Sequence, residues 1–436
     1  MFNLPFDRYH EQLNKKTYHM KMGKVSQVTG LIIKVDGLEA FVGEVCEIQI
    51  KSSGKKVLSE VVGFVDSMVL LMPLDELEGI GPGCLVIPTG KTLQVEVSDR
   101  LLGTTVDGLG RPLDENFQIQ GNLYNVNRSA PDPFKRNKIE SVIHTGVKAI
   151  DGTLTIGEGQ RVGIFAGSGV GKSTLLGMIA RYCEADVIVI GLIGERGREV
   201  REFIEKDLGE EGYRKSVVVC ATSDSPPLVR LKGSYVATAI AEYFRDQGKK
   251  VVLMMDSVTR VAMAQREIGL AMGEPPTTKG YTPSVFTTLP KLLERSGMSD
   301  IGSITAFYTV LVEGDDMNEP IADSVRGILD GHILLSRKIA AGNHYPAIDI
   351  QNSISRLMKD IVDEKHYQAA GNLKENMAIY TESKDLIDVG AYRKGSNPKI
   401  DRAIQLHPPI NNFLKQRVED HQPFSETVQS LHRLFQ

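Results

Sequence analysis

Between the apolar run RVGIFA (161–166) and the helical pattern STLLGMIARYC (173–183), the chain reads AGSGVGKST, residues 166–174. A buried strand, a glycine-rich turn and a helix in direct succession admit few folds other than a parallel sheet covered by helices. Gly167, Gly169 and Gly171 let the backbone turn so that successive N–H groups face one anion. The helix starting at Ser173 adds the positive end of its dipole. Lys172 is placed to reach the β- and γ-phosphates of a nucleotide, and the Ser173 hydroxyl to ligate Mg²⁺. Ala166 stands where the strict pattern has its first glycine; Ser168, Val170 and Thr174 complete the loop.

The same alternation extends from about residue 92 to 356, with strands expected at RVGIFA, DVIVIGLI, SVVVCAT, VVLMMDS and SITAFYTVL. Helical patterns fall between them, including GSYVATAIAEYFRDQG (233–248) and RGILDGHILLSRKIAAG (326–342). VVLMMD delivers Asp256 to the carboxyl end of its strand, the edge where such sheets bind ligands, and a carboxylate there suits Mg²⁺. VIVIGLI runs apolar into GERGREVREF, which brings Glu195 and Arg196 to that edge. There Glu195 would orient and deprotonate an attacking water, and Arg196 would contact the γ-phosphate. The plainer reading of Glu195 is a surface partner of Arg198 or Arg201. Arg356, in SISRL, stands where the alternation ends; by default it is an exposed helix-start arginine, and its functional reading is a finger inserted into a neighbouring subunit's site.

Residues 24–91 have a different texture, short β-rich runs cut by Gly, Ser and Pro, as in a small barrel. That stretch holds only Phe41 and Phe64 as aromatics, too few for a base-stacking surface, so it is read as structural. Residues 359–436 read as amphipathic helices. Residues 1–23 space Phe2, Phe6, Tyr9 and Leu13 helically, as a docking segment or as packing against their own domain. The expected organisation is therefore an N-terminal segment (1–23), a β-barrel (24–91), an α/β nucleotide-binding domain (92–358) and a helical domain (359–436).

The 51 basic side chains nearly balance 55 acidic ones, which gives no electrostatic footprint for nucleic acid, and none is expected as a partner. Cys46, Cys84, Cys183 and Cys220 are far apart, as in reduced cytosolic thiols. No stretch reaches the ~20 apolar residues of a membrane span. A soluble cytoplasmic protein is expected.

Together these features resemble the rotary-type RecA-like ATPases, a group that includes the catalytic subunits of F-type ATP synthase and the type III secretion ATPases. The order of barrel, RecA-like P-loop core and helical tail is similar over nearly the whole chain. GERGREVREFIEKDLG, the run from MMDSVTR to KLLERSG with its PPTTKGYTPSVF, and EGDDMNEPIADSVRGILDGHI are most similar to the flagellum-specific branch of protein export. The resemblance implies Mg²⁺-dependent ATP hydrolysis that energises or initiates export of flagellar proteins. It implies that Lys172 and Ser173 bind phosphate and Mg²⁺, Asp256 is the metal-side carboxylate, Glu195 the general base and Arg196 a γ-phosphate contact. Arg356 falls where the family has its trans-acting arginine finger, and Tyr345, in YPAID, where a ring stacks on adenine. One chain carrying both Glu195 and Arg356 suits a ring of identical subunits completing one another head to tail, a homohexamer. Implied partners are regulator and stalk subunits, export cargo and its chaperones, with peripheral attachment at the cytoplasmic face of the membrane.

Three other readings remain open at this level. The chain would be a virulence-type secretion ATPase if encoded among injectisome genes. It would be a ring-shaped RNA translocase if RNA stimulated hydrolysis, or a non-catalytic ring subunit if Glu195 proved dispensable.

Overall fold

The computed structural model describes residues 21–436 except 115, 313 and 315, so the amphipathic segment lies outside the described residues up to position 20. The chain divides into two compact units, one ending at Leu93 and the other running from Gln94 to Gln436.

In the first unit β1 (Gly23–Thr29), β2 (Ile32–Asp36), β3 (Glu44–Gln49), β4 (Lys56–Val65), β5 (Met68–Pro73) and β6 (Leu85–Thr92) close an antiparallel barrel in the order β1-β2-β5-β4-β3-β6. Alternate residues point inward, and Ile33, Val35, Cys46, Ile48, Val61 and Leu71 fill the interior. β1 and β6 close it by pairing Gly23 with Val86 and Lys24 with Leu85.

The second unit is built on a nine-stranded sheet. Eight strands run in chain order: β7 (Thr104–Asp107), β8 (Arg161–Ala166), β9 (Val187–Ile193), β10 (Ser216–Ala221), β11 (Lys250–Asp256), β12 (Ser303–Leu311), β13 (Gly331–Leu335) and β14 (Ile354–Ser355). In space they lie as β14-β13-β8-β12-β11-β9-β10-β7, and Gly297–Met298 pairs with β12 as the ninth. Neighbours are parallel except at β14 and the Gly297–Met298 strand. Every residue of β9 is buried, as a strand covered on both faces requires. Helices of this unit include α1 (Lys172–Tyr182), α2 (Gly197–Glu202), α3 (Pro227–Arg245), α4 (Val258–Ala271), α5 (Pro283–Leu293), α6 (Pro320–Ile328), α7 (Arg337–Ala341), α8 (Glu364–Asp388), α9 (Pro398–Leu414) and α10 (Phe424–Arg433).

All five expected strands form. The expected helix over 326–342 does not: α6 stops at Ile328, β13 follows, and α7 resumes at Arg337. The apolar spacing of Leu329 and Ile333 fits a helix, but tertiary demand overrides it. Without β13 one side of β8 would leave its backbone groups unpaired. β13 pairs Gly163 with His332 and Ala166 with Leu335. A Cβ on Gly331 would lie 2.6 Å from the Ile354 carbonyl oxygen, so glycine permits the close pairing with β14.

The C-terminal helices share their core with the sheet. One apolar cluster runs from Ile150 and Ile164 through Leu176 and Ile190 to Leu373, Phe413 and Leu431. No helix among the described residues is long and apolar enough to cross a membrane.

Candidate active site at the carboxyl edge of the sheet

β8 ends at Ala166 and α1 begins at Lys172, so the loop between them must reverse direction within five residues. Gly169 and Gly171 do this at φ 78° and 89°, a region closed to most side chains. Ser168 and Gly169 are exposed on the loop, while Val170 is buried beneath it. Ser173 and Thr174 occupy the first turn of α1, where backbone N–H groups remain free for an anion.

Strand register brings the acidic residues to the same place. β9 and β11 pair Leu192 with Asp256, so Glu195 emerges three residues beyond that rung. Lys172 Nζ lies 2.5 Å from Asp256 Oδ1 and 3.8 Å from Glu195 Oε1. Thr309 Oγ1 donates to Asp256 Oδ1 at 2.7 Å and fixes that carboxylate from β12. Glu195 Oε1 is buried and has no hydrogen-bond partner. Burial, and then the Asp256 carboxylate, push the Glu195 carboxyl up to about 7; the Lys172 ammonium opposes them.

Two cavities meet this cluster, and a third adjoins the loop. A cavity of about 60 Å³ is lined by Ser173, Glu195, Glu199, Phe203 and Asp256, room for a few waters at most. A cleft of about 510 Å³ follows the loop from Gly167 to Thr174 and includes Glu195, Arg196 and Arg260. The third, about 730 Å³, shares Gly171 and Thr174 with that cleft and is walled by Tyr345, Met178 and residues 415–420. The Tyr345 ring lies over the loop, 3.7 Å from where a Cβ on Gly171 would be. The loop cleft and the aromatic-walled chamber thus adjoin at Gly171 and Thr174.

The oxygen donors fit a hard divalent cation. Among the described residues no group of three His, Cys, Asp or Glu could hold a metal alone. Mg²⁺ in nucleotide sites needs none, because it takes one or two protein oxygens and completes its shell with phosphate and water. Ser173 and Asp256 on one small cavity supply such a pair.

Arg196 is 77 % exposed and reaches Glu199 at 3.7 Å, on the rim of the phosphate cleft. Arg356 is elsewhere: its N–H donates to the Asp330 carbonyl, and Asp330 accepts from Arg161 at the start of β8. β8 spans roughly 20 Å, so Arg356 and the phosphate loop lie at opposite edges of the sheet. It is exposed, with Nη2 3.4 Å from the Arg326 carbonyl.

The structure adds groups that sequence reading passed over. Arg260, in the first turn of α4, lines the phosphate cleft with its Nε buried and lacking a hydrogen-bond partner. The only local hint was its spacing, four residues after Asp256. The Arg337 guanidinium lies against Gly167; a Cβ there would approach its Nη2 to 2.6 Å. Residues 415–420 carry no motif at all.

Family models match the three parts in order: the ATP synthase alpha/beta family β-barrel domain over 25–90, its nucleotide-binding domain over 146–355, and the T3SS EscN ATPase C-terminal domain over 362–433. The flagellum-specific ATP synthase of Bacillus subtilis is 55 % identical over 415 residues, 95 % of each chain. The chain belongs to the ATP synthase alpha/beta family. Within that family it also matches the type 3 secretion system ATPase of Xanthomonas euvesicatoria, 53 % identical over 94 % of this chain and 93 % of that one. The assembled ATPase EscN of enteropathogenic E. coli superposes with TM-score 0.90 at 47 % identity, covering 94 % of this chain and 99 % of that chain. A second structure of EscN, in complex with its central stalk EscO, superposes at 0.88. The barrel and nucleotide-binding core thus match the alpha/beta family, and the helical domain matches that of the type III secretion ATPases.

Proposed function

We propose that this chain is the ATPase of a flagellar type III export apparatus, hydrolysing ATP between the phosphate loop and Glu195. It is a nucleotide-binding ATPase of the type III export class. Flagellar and secretion relatives match it at similar identity, 55 % and 53 %, so the finer assignment rests on its own PPTTKGYTPSVF and DDMNEPIAD segments. Deleting the gene should abolish filament assembly; intact filaments together with lost effector secretion would favour the virulence-type reading.

The observation that carries the chemistry is Glu195 Oε1, buried without a hydrogen-bond partner on the small cavity shared with Ser173 and Asp256. A carboxylate poised near neutrality accepts a proton from water efficiently at working pH. Lys172 and the loop amides hold the β- and γ-phosphates, with Arg196 and Arg260 facing the charge that grows on the transferred group. Ser173 and Asp256 would hold Mg²⁺, which supplies charge neutralisation at the phosphates. The Tyr345 ring offers its flat face to the base.

Arg356 serves the site of a neighbouring copy. Its exposure, and its place at the far edge of its own sheet, support that role. The assembled EscN and its stalk complex support a homo-oligomer with a stalk partner for this chain too. A hexamer, with regulator, cargo and chaperone docking at the cytoplasmic face of the membrane, completes the proposal.

Glu195→Gln tests the chemistry. Turnover should fall by roughly 10²–10⁴ while fluorescent ATP still binds. Hydrolysis near the parent rate in that variant would remove Glu195 from the mechanism.

A further inference from the structure

The chamber walled by Tyr345 is closed on another side by residues 415–420, which follow α9 and belong to the helical tail. Gln416 fastens that segment. Its backbone N–H donates to the Tyr345 carbonyl at 3.0 Å. Its side-chain Oε1 accepts from the Lys148 N–H at 2.8 Å, and Nε2 donates to the Gly146 and Asp420 carbonyls, both at 2.8 Å. Gln416 is 7 % exposed and Gly146 is buried as well, so removing the amide leaves the Gly146 carbonyl buried without that partner, while Lys148 is half-buried and Asp420 exposed. Two residues on, the Val418 carbonyl accepts from Arg181 Nη2 at 3.2 Å and Tyr182 Oη at 3.0 Å. Both donors lie at the end of α1, whose first turn faces the phosphates.

We infer that Gln416 is a positioning residue for the base: it ties the tail segment to the Tyr345 loop and to the turn before the core, and so holds the chamber at base width. This rests on Tyr345 being the base-stacking ring. Gln416's own bonds run to Tyr345, Lys148, Gly146 and Asp420 and to no residue of the phosphate loop, so its effect should fall on the base.

Inorganic tripolyphosphate separates the two, since it fills the phosphate cleft and carries no base. On the full chain, Gln416→Leu should weaken ATP binding roughly tenfold and leave tripolyphosphate affinity unchanged, by calorimetric titration. Gln416→Glu keeps the acceptor for Lys148 N–H and loses both donated bonds; it should show the same split. In a Tyr345→Ala background, Gln416→Leu should add no further loss of ATP affinity. Equal weakening of both ligands, or no change in either, overturns the proposal. If the parent chain itself binds ATP no better than tripolyphosphate, the Tyr345 reading fails first, and that result is distinguishable because it needs no Gln416 variant.

Discussion

Lys172 Nζ sits 2.5 Å from Asp256 Oδ1 and 3.8 Å from Glu195 Oε1, so one ammonium serves two carboxylates arriving from different strands. Asp256 takes the shorter contact and also a hydroxyl from Thr309. Glu195 is left with the longer contact, and its raised proton affinity follows first from its burial and then from the neighbouring Asp256 carboxylate, which Lys172 only partly offsets.

That affinity sets the pH dependence of turnover. In the free enzyme Glu195 titrates near 7, and only its ionised form accepts a proton. kcat/KM for ATP should therefore fall below about pH 7, approaching tenfold per pH unit, and level off above it. A profile flat from pH 6 to 8, measured at constant ionic strength, would contradict the role of Glu195.

Stability should run the opposite way. A carboxyl whose folded value is raised above its unfolded one binds more protons in the folded state between the two values. Folding is thus favoured at low pH and loses ground as pH rises from about 4.5 to about 7. Glu195→Gln removes that penalty. Allowing for partial solvent screening, the variant should exceed the parent by about 1–2 kcal/mol at pH 8, with the gain shrinking toward pH 5. Chemical denaturation at both pH values reads this, and a variant less stable than the parent at pH 8 would refute it.

Arg356→Ala should leave the isolated chain folded and binding ATP, because the side chain is exposed and its Nη2 reaches only one carbonyl, at 3.4 Å. Turnover should drop by roughly 10³. Mixed with Glu195→Gln chains, it should regain a measurable fraction of activity, since some interfaces then pair an intact Glu195 with an intact Arg356. Mixtures no more active than the separate variants would place Arg356 outside the neighbour's site.

Away from the site, Arg295 is fully buried and binds Glu242 through two parallel bonds, Nε at 2.9 Å and Nη2 at 2.8 Å. Its Nη1 also donates to the Val126 carbonyl at 2.9 Å. Arg295→Met leaves Glu242 buried, with Arg128 at 3.6 Å as partial compensation. The loss should be about 3 kcal/mol, seen as a lower denaturation midpoint with unchanged slope.

What could be read from the residues alone was whatever depends on short-range pattern. AGSGVGKST announces itself because a glycine turn, a lysine and a helix start are contiguous, and VVLMMD because one apolar run ends in one acid. Arg260 and Gln416 gave no such sign. An arginine one turn into a helix and a glutamine after one both look like surface residues, and only the strand order and the tail's return bring them to the cavities beside the phosphate loop. The segment 326–342 misled for a related reason. Its apolar spacing satisfies a helix as well as a strand, and the deciding fact, an unpaired side of β8, lies some 170 residues earlier in the chain.

Phe413 meets the core at Gly152, where a Cβ would stand 2.7 Å from its ring, and Leu431 is wholly buried in the same cluster as the strands. The last eighty or so residues are therefore scaffolding for the catalytic half and not a detachable handle. Cutting the chain near residue 360 would strip the apolar cover from β8, α1 and β9, the elements that flank the phosphate loop and Glu195. A truncated protein that neither hydrolyses nucleotide nor binds a partner would then be reporting collapse of its interior, and docking sites on the tail are better sought by changing single exposed side chains.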